Sequence, residues 1–218
     1  MFLHGYLSSK EAFSAQISYF SRYFRVTAFD FLGFGQSDPL TSAYSVGDYA
    51  EWTKGILREL KVEKPHIIAH SFGCRVAVKL ASAENSAVDK LLLTGPAGVI
   101  LNRGLGYKIK VKAYRAVKKI APRFAQKHFG SAEYRSLSPI MRESYKKIVN
   151  EDLRACAQKV ENEVLLVEGT RDTVTTKAEA EAYERAFPNA RLQTIEGGHF
   201  AFAENPVVFN LLAEEFFV

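Results

Sequence analysis

The chain is poor in cysteine and lacks any long apolar run. Its two cysteines, Cys74 and Cys156, cannot build a disulfide framework and do not show the CxxC spacing of a metal or redox site. No stretch approaches the roughly 18 consecutive apolar residues that a membrane-spanning helix needs. The opening Met1-Phe2-Leu3-His4-Gly5 has neither a basic n-region nor an apolar core, so no signal peptide is expected. No His/Asp/Glu cluster has metal-ligand spacing, and a bare Gly-x-Gly at Gly33 and Gly35 is too weak for a phosphate loop, so neither metal nor cofactor is expected. Together these absences fit a cytoplasmic protein.

What is present fits one globular domain. A length of 218 residues, 47% hydrophobic and 24% charged, is enough for one sizeable core with a small insertion. The formal charge of +5 is unevenly spread. Between Arg103 and Lys147 stand thirteen Lys and Arg against Glu133 and Glu143, a local net charge of +11. Such a run is either a solvated basic helix face or a surface that attracts anions. Nothing interleaves it with a base-reading motif, so nucleic acid is not an expected partner.

Apolar runs alternate with helical patterns, which predicts βαβ units and a parallel sheet. Strands are expected at Phe2–Leu3, Arg25–Phe29, His66–Ala69, Asp89–Leu93, Glu163–Val167 and Arg191–Ile195. Helices are expected over Ser9–Tyr23, Ser45–Leu60, Phe72–Ala83, Lys177–Phe187 and Pro206–Phe217, from apolar residues at helical spacing and from capping residues. The interval from Val99 to Gln158 carries no strand pattern. With helical stretches at Lys108–Ile120 and Ser138–Ile148, it reads as a helical insertion, residues 99–158, within a core made of 1–98 and 159–218.

Chemistry concentrates where strands end. Ile67-Ile68-Ala69-His70-Ser71-Phe72-Gly73 runs a buried strand straight into a helix with a serine at the junction. A turn that sharp forces the serine into strained backbone and demands small residues two positions either side, here Ala69 and Gly73. An ordinary strand-to-helix turn capped by serine has the same outline. Asp172 follows the strand Glu163–Val167 after Gly169 turns the chain, and His199 follows Gly197-Gly198 after the last strand. Glu168 competes as the acid but lies within the strand end.

The Ala-His-Ser-Phe-Gly turn resembles the nucleophile elbow of esterase-like, lid-bearing members of the α/β-hydrolase superfamily. The order Ser71, Asp172, His199 is the order of their triad. The resemblance implies an α/β fold of three α/β/α layers with a mostly parallel sheet. It implies Ser71 as nucleophile, His199 as base and Asp172 as the acid that orients it. Leu3-His4-Gly5-Tyr6 resembles the first oxyanion loop, which would make the amides of Tyr6 and Phe72 the oxyanion donors and give His4 a structural role. Residues 99–158 become the lid, and Val174 and Phe200 join Tyr6 and Phe72 around an apolar acyl pocket. Members usually have two strands before the His-Gly strand. Their absence here leads to an expected sheet of about six strands with one unprotected edge.

Three functions follow. The first is cleavage of a carboxylic ester or thioester through an acyl-enzyme, without cofactor, on a small-molecule substrate. The second keeps the triad but performs C–C bond hydrolysis or cofactor-free perhydrolysis. The third is a non-catalytic hydrolase-fold binding protein. A triad alone does not separate the first two.

Overall fold

A computed structural model of the chain describes residues 1–101, 134 and 136–218. Five strands form one sheet: β1 (Phe2–Leu3), β2 (Ile67–His70), β3 (Leu91–Thr94), β4 (Val164–Gly169) and β5 (Ala190–Ile195). They lie in that order and every pair is parallel. The helices are α1 (Ser14–Phe20), α2 (Val46–Glu59), α3 (Phe72–Ala83), α4 (Pro139–Val149), α5 (Arg154–Ala157), α6 (Lys177–Glu184), α7 (Ala201–Glu204) and α8 (Pro206–Phe217).

Strand alternation sorts the core into two layers. Leu3, Ile67, Ala69, Leu91, Leu93, Val164 and Leu166 pack with Tyr49 of α2, Val76 and Leu80 of α3 and Tyr183 of α6. Phe2, Ile68, Leu92, Leu165 and Val167 point the other way, onto Phe20 of α1 and Phe209, Ala213 and Phe216 of α8. Both faces of a parallel sheet are thereby covered, as its near-continuous apolar strands require. Capping chemistry sets the helix starts. Ser45 and Asp48 form a reciprocal capping box on α2, and Thr176 with Glu179 does the same on α6. Pro139 and Pro206 open α4 and α8, where the missing N–H costs nothing.

Two expectations change. Residues Arg25–Phe29 do not form a sixth strand. They contribute one isolated parallel bridge, Phe2 to Ala28, with Phe2 N donating to Thr27 O at 2.9 Å. The neighbour offered to them is the two-residue β1, too short for a ladder. The stretch expected as one helix from Ser9 to Tyr23 begins instead as a 3₁₀ turn, Lys10–Phe13, and is α-helical only over α1. The helix expected at Ser138–Ile148 is α4, its first turn capped by the Ser138 hydroxyl. The one expected at Lys108–Ile120 lies outside the described residues.

β1 has the 25–29 segment on one side and β2 on the other, so successive connections leave it in opposite directions. The crevice between the carboxyl ends of such strands is where open α/β sheets bind ligands. The loops after β1 and β2 carry Tyr6 and Ser71.

Candidate active site

Ser71 sits between β2 and α3 with φ 49° and ψ −107°, a conformation that costs a non-glycine residue strain. The packing around the turn holds it there. A Cβ on Gly73 would stand 2.2 Å from the carbonyl oxygen of Leu3, so α3 presses directly on β1. The small residue is therefore required by the neighbouring strand, as much as by the serine's own.

Asp172 and His199 come from the loops after β4 and β5, which are locked together. Arg171 N donates to Gly197 O at 2.8 Å, and a Cβ on Gly169 would meet Gly198 O at 2.2 Å. His199 Nδ1 lies 2.7 Å from Asp172 Oδ2, with the Asp172 side chain 0% and the His199 side chain 13% exposed. The Asp172 carboxylate accepts further hydrogen bonds from Val174 N at 2.7 Å, Thr175 N at 3.1 Å and the Thr175 hydroxyl at 2.9 Å. Burial pushes its pKa up, but the His199 hydrogen bond and these other donors outweigh burial and hold it below the usual carboxylate range. Asp172 is thus ionised and accepts the Nδ1 proton. That fixes the tautomer and leaves His199 Nε2 as an acceptor.

His4 is buried and bridges two loops. Phe31 N donates to its Nε2 at 3.0 Å, so its Nδ1 proton is given to Gly5 O at 2.8 Å. Burial lowers its pKa, consistent with this neutral form. The same Gly5 oxygen accepts from Ser8 N at 3.3 Å. A trans peptide points its C=O and N–H in opposite directions, so pinning Gly5 O also aims the Tyr6 N–H. Neither Tyr6 N nor Phe72 N has a hydrogen-bond acceptor among the described residues. Asp30 braces the loop from the other side, accepting from Lys10 N at 2.7 Å and Gln36 N at 2.9 Å.

Ser71, His199, Tyr6, Phe72, Val174 and Phe200 all line one cleft of about 720 Å³, within the size range of small-molecule sites. All seven expected site residues are brought to one end of the sheet: six line the cleft, and Asp172 lies behind His199. Val174 and Phe200 are exposed at the mouth. Among the described residues, no three His, Cys, Asp or Glu converge as a metal site.

Three neighbours support the site, of which sequence reasoning gives His70 a packing or hydrogen-bonding role and does not single out Thr175 and Arg75. Thr175 completes the cradle of Asp172; a hydroxyl three residues after the acid was its only signal. His70 faces His199 at a ring distance of 4.7 Å, and its Nε2 donates to the His199 carbonyl. Arg75 lines the cleft from α3, and its signal was a cation, one of two with Lys79, in an otherwise apolar helix. Glu168 is buried and has no hydrogen-bond partner on either oxygen among the described residues. His66 stacks on Phe217 at the entrance of β2, and His128 lies outside the described residues.

The sequence profile described as alpha/beta hydrolase fold matches residues 1–154. The chain belongs to the α/β-hydrolase fold family. It is 34% identical over 129 residues to a probable lysophospholipase, BODYGUARD 3, of Arabidopsis thaliana, a match covering 56% of this chain and 25% of that protein. Among solved structures, this α/β-hydrolase superposes on an esterase from Exiguobacterium antarcticum with a TM-score of 0.78 at 22% identity, covering 99% of this chain and 90% of the esterase. It superposes on a meta-cleavage product hydrolase from Pseudomonas fluorescens with a TM-score of 0.75 at 23% identity, covering 99% and 89%. No helix of the described residues is long and apolar enough to cross a membrane.

Proposed function

We propose that this α/β-hydrolase is a serine hydrolase that cleaves a carboxylic ester or thioester through an acyl-enzyme. The observation that carries the reading is the ionised, fully hydrogen-bonded Asp172 at 2.7 Å from His199 Nδ1, with His199 and the strained Ser71 lining the same cleft.

In this reading Ser71 Oγ attacks the substrate carbonyl while His199 Nε2 takes its proton. Asp172 stabilises the resulting imidazolium through Nδ1–H and stays ionised itself. The oxyanion is held by the amides of Tyr6 and Phe72, the second at the N-terminus of α3, where the helix dipole favours negative charge. His199 then returns the proton to the leaving alcohol or thiol. Water, deprotonated by the same imidazole, hydrolyses the acyl-Ser71 ester. Within the expected lid, α4 is the described helix that reaches the acyl pocket, supplying Tyr145, Ile148 and Val149 to its wall.

Fluorophosphonate labelling of the protein and of Ser71→Ala tests this, followed by a p-nitrophenyl ester chain-length series. Labelling that disappears in the variant is expected. A folded protein that takes no label would overturn the proposal.

A further inference from the structure

Among the described residues one cation lines the cleft, and the hydrolytic reading leaves it over. Arg75 lies on α3 one turn beyond Ser71, about 6 Å along the helix, and lines the same cleft. It is only 8% exposed. One N–H of its guanidinium donates to the Glu151 carbonyl at 2.7 Å. The other N–H groups have no acceptor among the described residues. The nearby carboxylates are engaged elsewhere: Glu151 holds Lys79 Nζ at 2.6 Å, and Asp152 holds Arg154 at 2.8 Å and Ile100 N at 3.2 Å. A buried cation that satisfies one neutral carbonyl is poorly compensated, and it lacks the anion that its planar fork is shaped to bind. The cleft lining includes the apolar or backbone groups of Pro96, Ala97, Gly98, Val99, Ile148 and Val149, and its one carboxylate among the described residues, Glu179, is engaged by Thr176 N at 2.8 Å. Within the described residues α4 carries Arg142, Lys146 and Lys147 against Glu143 and adds a field of the same sign.

We propose that Arg75 is the anion-recognition group of this cleft, so that the substrate is an ester or thioester with an apolar body and a carboxylate or phosphate seated on the guanidinium. The inference rests on Ser71 being the nucleophile. It goes further by setting the substrate class, and it places the anion about one helical turn from the scissile carbonyl.

Two matched substrate pairs test it. p-Nitrophenyl hydrogen adipate against p-nitrophenyl hexanoate puts the anion on the acyl part. 3-Carboxyphenyl hexanoate against phenyl hexanoate puts it on the alcohol. In one pair kcat/KM should favour the anionic member by about ten- to hundredfold, the size of one charge-assisted hydrogen bond. That preference should vanish in Arg75→Gln, which keeps a donor for the Glu151 carbonyl, and persist in Arg75→Lys. Adipate or glycerol phosphate should raise the Tm of the wild type and not that of Arg75→Gln, and the more effective of the two identifies carboxylate or phosphate. A purely structural Arg75 would lower the Tm of the variant and leave the substrate ratio and the ligand shift unchanged, which would overturn the proposal. No preference in either pair, with Ser71 labelled by fluorophosphonate, would also overturn it. If Ser71 takes no label, the hydrolytic reading fails, and the ligand-induced Tm shift decides the role of Arg75 alone.

Discussion

His70 donates its Nε2 proton to the backbone carbonyl of His199, 2.9 Å away, and so ties the residue before the elbow serine to the residue proposed as its base. Its ring packs against Phe200 and Phe202 as well. Full burial drives its pKa down to about 3, so it stays neutral through the working range. His70→Phe should keep the packing and lose the tie. The expected result is a lower kcat with little change in KM and a Tm within a few degrees of wild type. An unchanged kcat would assign His70 to packing alone.

Asp172→Asn should leave the fold intact and lower kcat by about 10⁴-fold, because an amide favours the wrong imidazole tautomer. Thr175→Val removes one hydrogen bond to the same carboxylate and should cost about tenfold or somewhat more, in line with a hydrogen bond to a charged group. Ester hydrolysis by the two variants, with Ser71→Ala as the floor, checks the ranking.

His4→Leu should release the Gly5 carbonyl and with it the direction of the Tyr6 amide. Loss of one oxyanion donor typically lowers kcat by about 100- to 1,000-fold. Fluorophosphonate labelling of the variant should slow as well, since the same donors hold the phosphonyl oxygen.

Glu168 should give stability an unusual pH dependence. Burial, followed by the nearby charges of Asp172 and Glu179, raises its pKa from 4.5 to about 8 in the folded protein. Between those values the unfolded chain is ionised and the folded chain is not, so the unfolded state binds fewer protons and stability falls as pH rises. The slope is about 1.4 kcal/mol per pH unit. His70 works the opposite way: the unfolded state binds the extra proton between pH 3 and 6.5, so stability rises with pH there. His70 opposes Glu168 from pH 4.5 to 6.5, and the buried Met1 ammonium, its pKa lowered from 8.0 to about 5, opposes it from pH 5 to 8, so the Glu168 contribution is read from the difference between wild type and variant. In urea melts, stability of Glu168→Gln should rise more steeply with pH between 4.5 and 8 than that of the wild type. An identical slope in the variant would remove Glu168 as its source.

The elbow and the acid-base loops were legible because their chemistry depends on backbone features that leave marks in sequence. A strand entering a helix through Ala69-His70-Ser71-Phe72-Gly73 is one such mark, and glycines flanking a lone acid and a lone histidine at strand ends are others. The fate of Arg25–Phe29 was not legible. Its alternation is that of a strand, but pairing depends on the length of its neighbour, which the segment itself does not encode. Arg75 was missed for a related reason. It lies two residues beyond Gly73, yet its role is set by a partner far along the chain, the Glu151 carbonyl.

The close approach of Gly73 to the Leu3 carbonyl has a consequence for folding. The elbow is shaped by contact with β1, and the base arrives on a loop 129 residues away from His70. Helices can form from local contacts, but the reactive geometry needs pairings of high sequence separation, whose loop-closure entropy makes them slow. On dilution from denaturant, helical circular dichroism should return before esterase activity. In this chain the recovery of turnover is a clock for the final long-range docking steps.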